Sequence, residues 1–298
     1  MKKNWRYIFS IMILVTVSTW LSVSFLYDPN LHIISCDVGQ GDAILIYQKN
    51  TQILVDGGPD NKIISCLGKH LPFWDRKLEL VILTHPQLDH FGGLTEVFER
   101  YEVDVLFANS LDSSSQRYQL LKSKVGDKGI RVVNPTKSLK ARLGKIYLDI
   151  LNPPEEFLQE SGAPPNGDTL GNYTSKRDPN DFSIVTSVSF GNFDAILTGD
   201  IGPKKSEEVA NTLKENYNLD FEYIKIPHHG SKNGLSAALL EVAKPEIAVI
   251  SVGKGNRYGH PNQEILDMLN QNDIKIVRTD QDGEIEIVTD GNSWWTNN

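Results

Sequence analysis

The most informative stretch of this chain covers residues 83–93 and has the sequence LTHPQLDHFGG. It places two imidazoles and one carboxylate, those of His85, Asp89 and His90, within six residues, directly after the apolar run at 80–83. We expect that run to be a β-strand whose end presents these groups at the edge of a sheet. Histidine nitrogens and carboxylate oxygens are the ligands of hydrolytic zinc, manganese or iron sites. The segment therefore predicts part of a metal centre.

Four further clusters follow apolar, strand-like runs in the same way. They lie at residues 37–42 (DVGQGD), 55–58 (VDGG), 197–200 (LTGD) and 226–231 (IPHHGS). Hydrolysis at neutral pH needs a nucleophile stronger than water, and a bound divalent metal provides one by lowering the pKa of a coordinated water to about 7. We therefore expect one hydrolytic site at which these strand ends converge. Its candidate ligands are His85, Asp89, His90, Asp200 and either His228 or His229.

The composition fits a single globular domain that follows an N-terminal apolar segment. The chain has 298 residues, of which 40% are hydrophobic and 23% charged, as is ordinary for a globular protein. Residues 7–26 carry no charge and follow three basic residues, and about 20 such residues are enough for a transmembrane helix. We predict a single-pass anchor in the cell membrane over 1–27, with the catalytic domain, 28–298, outside the cytoplasm. A cleaved signal peptide is the alternative, although the residues after the apolar run are bulky.

The net charge limits how this protein could bind nucleic acid. The net charge is −8, and the three basic residues of the anchor leave a net charge of −11 on residues 28–298. Such a surface does not suit tight, sequence-independent binding to a phosphate backbone, so metals and a few lysines would have to hold any nucleic acid locally.

Cys36 and Cys66 are too few for a disulfide scaffold, and we expect them to be two small buried hydrophobic side chains.

Strands and helices alternate along the remaining chain without a short repeat. Two successive β-rich halves, each with helices, predict two sheets packed face to face with helices outside. The polar stretch at 153–180 is rich in proline and glycine, and we expect a long surface loop there. Residues 182–190 and 194–198 are predicted to form a hairpin around the Gly-Asn turn at 191–192.

The ordered motifs resemble those of the metallo-β-lactamase superfamily. They are DGG at 56–58, HPQLDH at 85–90, TGD at 198–200, and His228. The fuller strings, which include DVGQGDA, LTHPQLDHFGGL, IPHHGS and RTDQDGEIEI, resemble the C-terminal extracellular domain of the ComEC-type competence protein and related free-standing hydrolases. This resemblance implies an α/β (α+β) fold, an αββα sandwich, here preceded by one N-terminal transmembrane helix. It also implies one or two divalent ions, zinc or manganese, at one edge, and hydrolysis of phosphodiester bonds in DNA.

The resemblance also implies roles for individual residues. His85 resembles a ligand of a first metal site, and Asp89 with His90 resembles the ligands of a second. Asp200 matches the carboxylate that bridges the two sites. Asp89 and Asp200 are thus the catalytic candidates, and Asp89 is where the superfamily places the group that orients the attacking water.

Further positions match the superfamily in part. His228, rather than His229, matches the final ligand, and Asp56 resembles a carboxylate that fixes a ligand histidine. Where the superfamily has histidine and the ComEC-like branch aspartate, this chain has Gln87, whose neutral amide oxygen is a poorer metal donor. The first site should therefore be weak, and a single-metal enzyme stays an alternative.

Other residues are candidates for contacts around the site. His229 and His260 could serve as metal ligands, orient a ligand, contact substrate or pack a loop. We expect Asp42 to cap or brace a loop, and Lys225, like most charges beside loops, to be solvated. The candidates for substrate contact are Lys232, Asn256 and Tyr258.

Three functions stay open on the sequence. The favoured one is metal-assisted hydrolysis of a phosphodiester, with DNA or another phosphodiester as substrate and the membrane contacted through the N-terminal helix. The second is an ester, lactone or thioester hydrolase of the same fold. In the third, Gln87 marks a non-catalytic surface protein that binds DNA or a protein partner, although the sequence indicates no particular partner.

Overall fold

The computed structural model describes residues 2–25, 28–160, 169–216 and 220–297. Within these ranges the strands are β1 Leu31–Ser35, β2 Ile44–Gln48, β3 Thr51–Val55, β4 Lys77–Leu83, β5 Glu102–Ala108, β6 Arg131–Val133, β7 Lys140–Leu143, β8 Ile146–Asn152, β9 Val185–Phe190, β10 Phe193–Leu197, β11 Tyr223–Lys225, β12 Ile247–Ile250, β13 Lys275–Arg278, β14 Ile285–Thr289 and β15 Trp294–Thr296. The helices are α1 Lys2–Phe25, α2 Lys62–His70, α3 Leu88–Phe91, α4 Leu94–Arg100, α5 Gln116–Asp127, α6 Glu155–Glu160, α7 Pro203–Asn216, α8 Ala237–Ala243, α9 Gln263–Gln271 and α10 Thr279–Asp282. Short 3₁₀ turns cover Pro179–Phe182 and Pro227–Gly230.

The strands form two mixed sheets. The first has the order β15-β14-β1-β2-β3-β4-β5-β6, and the second has the order β13-β12-β11-β10-β9-β8-β7. One hydrophobic cluster joins their inner faces, and it includes Ile44 and Ile46 from the first sheet and Leu148 and Val188 from the second. The predicted packing of two sheets face to face is confirmed.

Helices cover the outer face of each sheet. Because side chains alternate across a strand, Leu45 of β2 points away from the second sheet and packs in a cluster with side chains of α2, α4 and α5. A matching cluster buries the outer face of the second sheet under α7, α8 and α9. Central strands are therefore buried on both faces, which explains their continuous apolar runs.

Of two local predictions for the second half of the chain, one is confirmed and one is wrong in part. The hairpin is confirmed, since β9 and β10 pair antiparallel with Phe190 opposite Phe193. The expected loop at 153–180 is wrong for Glu155–Glu160, which is helical because Phe157 and Leu158 pack against Phe182. Residues 161–168 of that prediction lie outside the described residues.

The two cysteines are joined, contrary to expectation. Cys36 and Cys66 are buried as predicted, but the expectation of two separate hydrophobic side chains is wrong because they form a disulfide. Packing of α2 on the first sheet brings their Cα atoms to 6.0 Å, within the range that a disulfide spans. The bridge ties the end of β1 to α2.

The N-terminal segment is helical over Lys2–Phe25. The predicted anchor at 1–27 also includes positions 1, 26 and 27, which lie outside the described residues. Within the part of the chain that the structure describes, no helix has both the length and the apolar character needed to cross a bilayer. Membrane anchoring stays a prediction.

Candidate metal centre

The candidate site lies where parallel strands of both sheets end. β3 runs parallel to β4, and β10 runs parallel to β11. Carboxyl ends of parallel neighbours lie at the same edge of a sheet, so Asp56 and His85 leave the first sheet together, and Asp200 and His229 leave the second together. The edges meet, as the distances between these side chains show.

Four side chains converge in what we call the four-donor cluster, which consists of Asp89, His90, Asp200 and His229. Nε2 of His90 lies 3.2 Å from Oδ2 of Asp200. Nε2 of His229 lies 3.4 Å from that same oxygen and 3.4 Å from Oδ2 of Asp89. The two histidines and Asp200 are buried, whereas Asp89 is partly exposed. The cluster unites side chains of both sheets around one small volume.

His85 belongs to a second, overlapping group. Its ligand atom and those of His90 and Asp200 all lie within 4.8 Å of one another. The His85 ring is fully buried, with its centroid 4.1 Å from that of His90. Its Nδ1 lies 3.0 Å from Oγ1 of Thr84. The predicted metal residues His85, Asp89, His90 and Asp200 are thus brought together.

The donor atoms of this region fit a divalent metal. Nε2 of His85 is buried without any partner, and Nε2 of His90 and of His229 forms no hydrogen bond and faces only the carboxylates of Asp200 and Asp89. Oδ1 of Asp200 also accepts no hydrogen bond. Buried polar atoms are nearly always hydrogen-bonded, so several that form no hydrogen bond in one place need a physical reason. Imidazole nitrogens and carboxylate oxygens are the donors that zinc and manganese accept, and a bound ion would satisfy them.

Asp56 is hydrogen-bonded to His90, which is the contact that its predicted role requires. Its Oδ2 accepts hydrogen bonds from Nδ1 of His90 at 2.8 Å and from Oγ1 of Thr84 at 2.8 Å, and its Oδ1 accepts one from the backbone N–H of Thr84 at 2.8 Å. A proton held on Nδ1 leaves Nε2 of His90 with a free lone pair for a metal. Burial raises the pKa of the Asp56 carboxyl, although the charge of His90 opposes the shift.

Asp42 and Lys225 form a buried ion pair behind the cluster. Lys225 is only 1% exposed, so the expectation of a solvated lysine is wrong. Its Nζ lies 3.6 Å from Oδ1 of Asp200, and Oδ1 of Asp42 lies 3.4 Å from Nδ1 of His229. Burial penalises the ammonium, but Asp42 and Asp200 raise the pKa of Lys225 above its ordinary value. The position of Lys225 in an otherwise apolar strand was the sequence signal for this burial.

The loop that carries Asp42 is held against the segment that carries Asp89. The backbone N–H of Asp42 donates to the carbonyl of Asp89 at 3.1 Å. Gly41 has φ +142°, and a Cβ atom there would lie 2.3 Å from that carbonyl oxygen. Only glycine fits so close an approach, which explains the glycine in this motif.

Adjacent histidines take different directions. The backbone is left-handed at both, with φ 52° at His228 and 54° at His229. His229 enters the four-donor cluster, and its Nδ1 lies 2.9 Å from the carbonyl of Ser251. His228 lines the adjacent pocket and belongs to none of the ligand groups found among the described residues. The geometry therefore favours His229 over the predicted His228 as a ligand.

The cluster opens onto a pocket of about 490 Å³. Its lining includes Asp89, Asp200 and His229 together with Gln87, His228, Asn256, Tyr258 and His260. Lys232 is exposed and does not line this pocket. Most of the residues predicted for substrate contact thus share one open space with the donor atoms.

The far wall of the pocket is a braced loop. Nδ2 of Asn256 donates to the carbonyl of His260 at 2.7 Å, and its Oδ1 accepts from the backbone N–H of His260 at 3.0 Å. Asn256 therefore shapes the loop with its amide. The Tyr258 ring is 69% exposed and stacks on the His260 ring, with centroids 5.8 Å apart. Tyr258 presents an aromatic surface to the pocket.

Burial and neighbouring charges shift the pKa values of the site histidines in different directions. Burial lowers the pKa of His85 to about 3, so this ring is neutral at pH 7. Burial also penalises the charged form of His229, but Asp200 and Asp42 outweigh it and raise its pKa to about 10. The pKa of His90 is raised for the same reasons, by Asp200 and Asp56. A metal ion would therefore displace protons as it binds.

Comparison with known proteins identifies the family. The model of the metallo-β-lactamase superfamily matches residues 36–254. The chain belongs to this superfamily. The resemblance recognised in the sequence is thereby confirmed.

Relatives point to one branch of the metallo-β-lactamase superfamily. The chain is 27% identical over 269 residues to ComE operon protein 3 of Bacillus subtilis, which covers 84% of this chain and 32% of that protein. It is 26% identical over 279 residues to Recombination protein 2 of Haemophilus influenzae, which covers 92% of this chain and 31% of that protein. The chain spans about a third of the length of these relatives. The solved structure of the metallo-β-lactamase fold protein YhfI from Bacillus subtilis shares the fold, with a TM-score of 0.53 and 11% identity over 90% of this chain and 100% of that one.

Proposed function

We propose that this chain is a metal-dependent hydrolase that cleaves phosphodiester bonds in DNA. The observation that carries the proposal is the set of imidazole nitrogens that form no hydrogen bond and lie with Asp89 and Asp200 beside an open pocket. The resemblance to the ComEC-type competence protein and the similarity to a recombination protein support DNA as the substrate.

Residues of the four-donor cluster would hold the ion. When bound, a divalent metal lowers the pKa of a coordinated water to about 7 and polarises a phosphoryl oxygen. Asp89 has 32% of its side chain exposed, so a carboxylate oxygen is available to accept a hydrogen bond from the attacking water and to orient it. Asp56 keeps His90 in the tautomer that binds metal. Tyr258 offers a flat surface for a base next to the cleaved bond.

Hydrolysis assays test the proposal against an acyl hydrolase. We expect the full chain with added zinc or manganese to cleave bis(p-nitrophenyl) phosphate and DNA oligonucleotides, and His90→Ala to abolish both activities. Lys205→Met, a change at a buried lysine that pairs with Glu208, serves as the control. Intact DNA and phosphodiester at high enzyme and metal concentration would refute the proposal, and cleavage of p-nitrophenyl acetate or a thioester under those conditions would indicate an acyl hydrolase.

A non-catalytic binding protein is the second candidate. The observation that favours it is Gln87, which lines the pocket where the related branch has a carboxylate. The metal content of the full chain and of His90→Ala separates the two functions. If neither protein holds stoichiometric metal, the hydrolase proposal fails.

We further propose that α1 anchors the chain in the cell membrane, with residues 28–298 outside the cytoplasm. Basic residues before the apolar run support this orientation. The Cys36–Cys66 disulfide supports it as well, since such bonds persist in oxidising compartments. Expression with a C-terminal tag, followed by protease treatment of intact spheroplasts, tests it: protection of the tag would contradict the orientation.

A further inference from the structure

The two carboxylate oxygens of Asp200 face different partners. Its Oδ2 lies 3.2 Å from Nε2 of His90 and 3.4 Å from Nε2 of His229. Its Oδ1 lies 3.6 Å from Nζ of Lys225. A carboxylate that bridges two metals offers one oxygen to each ion. In this chain one oxygen faces the donors of an ion, and the other faces an ammonium group.

Lys225 is fixed in this position. It is 1% exposed and lies in β11, which has a neighbouring strand on each side. Its Nζ forms the ion pair with Asp42 and donates a hydrogen bond to the carbonyl of Gly199 at 3.3 Å. With the Asp42 carboxylate and the Gly199 carbonyl beside it, the buried ammonium group lies next to Asp200.

The first metal site, on the His85 side of Asp200, has one donor of its own, His85, and shares His90 and Asp200 with the four-donor cluster. Gln87 is neutral, and the sequence contains no histidine between His90 and His228. Oγ of Ser183 lies 3.4 Å from Nδ1 of His85, whereas the nitrogen without a partner is Nε2, so this hydroxyl adds no donor to the site. A second divalent ion would find few donors here.

We propose that the site binds a single divalent ion, held by the four-donor cluster, and that Lys225 supplies the second positive charge as a positioning residue. The inference rests on the proposed metal-dependent function. One divalent ion balances the two ligand carboxylates, Asp89 and Asp200, while Lys225 balances Asp42. A second ion beside Asp200 would be repelled by the ammonium in a poorly solvated space. Lys225 thus holds Asp200 in place and excludes a second ion.

Metal stoichiometry tests this inference without an activity measurement. The full chain is titrated with Co²⁺, followed by its visible absorption, and its zinc content is measured by mass spectrometry after equilibrium dialysis. We expect one ion per chain for the native protein. Lys225→Met should take up a second ion, so that content rises toward two at millimolar metal, and should bind the first ion roughly tenfold more tightly. Lys205→Met, at a buried lysine of α7 that pairs with Glu208, should stay at one.

Two results of these metal measurements would contradict a single-ion site. Two ions of similar affinity in the native protein would overturn it, and so would unchanged stoichiometry and affinity in Lys225→Met. If Lys225→Met does not fold, the double variant Lys225→Met/Asp42→Asn removes both buried charges and carries the same test, because Oδ1 of Asp200 is still released. Two ions with DNA cleavage would refute this inference alone, whereas one ion without any phosphodiesterase activity would refute only the proposed function.

Discussion

Replacing Asp56 by asparagine tests how the protein prepares His90 for a metal. The carboxylate accepts three hydrogen bonds, two from Thr84 and one from Nδ1 of His90. An asparagine oxygen can keep the bond from the Thr84 backbone, but its NH₂ group then faces Nδ1. That group donates, so the imidazole proton moves to Nε2, which is the atom that must bind the ion. Loss of such an orienting partner lowers metal affinity about 10–100-fold, equivalent to about 1.4–2.7 kcal/mol.

A chelator competition measures this loss directly. Native protein and Asp56→Asn are titrated with Zn²⁺ against a chromophoric chelator, after circular dichroism has shown that both are folded. Asp194→Asn is the matched control, because Asp194 is a buried carboxylate at the opposite end of β10 from Asp200. Affinity of Asp56→Asn within twofold of the native value, or an equal loss in Asp194→Asn, would refute the reasoning.

Three further changes give distinct readouts. The double variant Cys36→Ala/Cys66→Ala should lose about 3–4 kcal/mol of unfolding free energy in urea, since the bridge closes a loop with a sequence separation of 30; a loss below about 1 kcal/mol would contradict this. Glu286 has its pKa lowered from 4.5, first by a hydrogen bond from His32, so its contribution is present above the unfolded pKa and lost as pH falls through the folded one. Glu286→Gln should therefore cost about 1 kcal/mol at pH 7 and progressively less as the pH falls below the unfolded pKa in the same urea assay; a cost that does not change with pH would exclude the charge of this carboxylate as its cause. Gln87→Asp should raise the affinity for a second Co²⁺ ion in a spectroscopic titration, and no change would remove Gln87 from the first site.

The sequence predicted those features of the site and fold that depend on local sequence patterns. The motif that contains His85, Asp89 and His90 is confined to six residues at a strand end, so its place at a sheet edge followed from one apolar run. Asp200 follows β10 in the same way. The two-sheet architecture was predicted from two successive β-rich halves, each with helices, and the structure has two such sheets with a shared buried face.

Features that depend on the order of the strands in the sheets could not be predicted from the sequence. Lys225 meets Asp42 only because β11 and the loop before β2 reach the same edge, and no local pattern reports that meeting. Cys36 and Cys66 pair because α2 folds over the first sheet. The helix α6 forms through contact of its Phe157 with Phe182, a residue distant in sequence.

The free concentration of the metal ion would affect the stability of the folded domain. Asp89 and His90 follow β4 of the first sheet, and Asp200 and His229 follow β10 and β11 of the second, so a bound ion fastens the two sheets together at one edge. A ligand that binds only the folded state adds about 4 kcal/mol when its free concentration is a thousandfold above its Kd. Starvation for the ion would therefore loosen this edge first and shorten survival against proteases, even where no substrate is present.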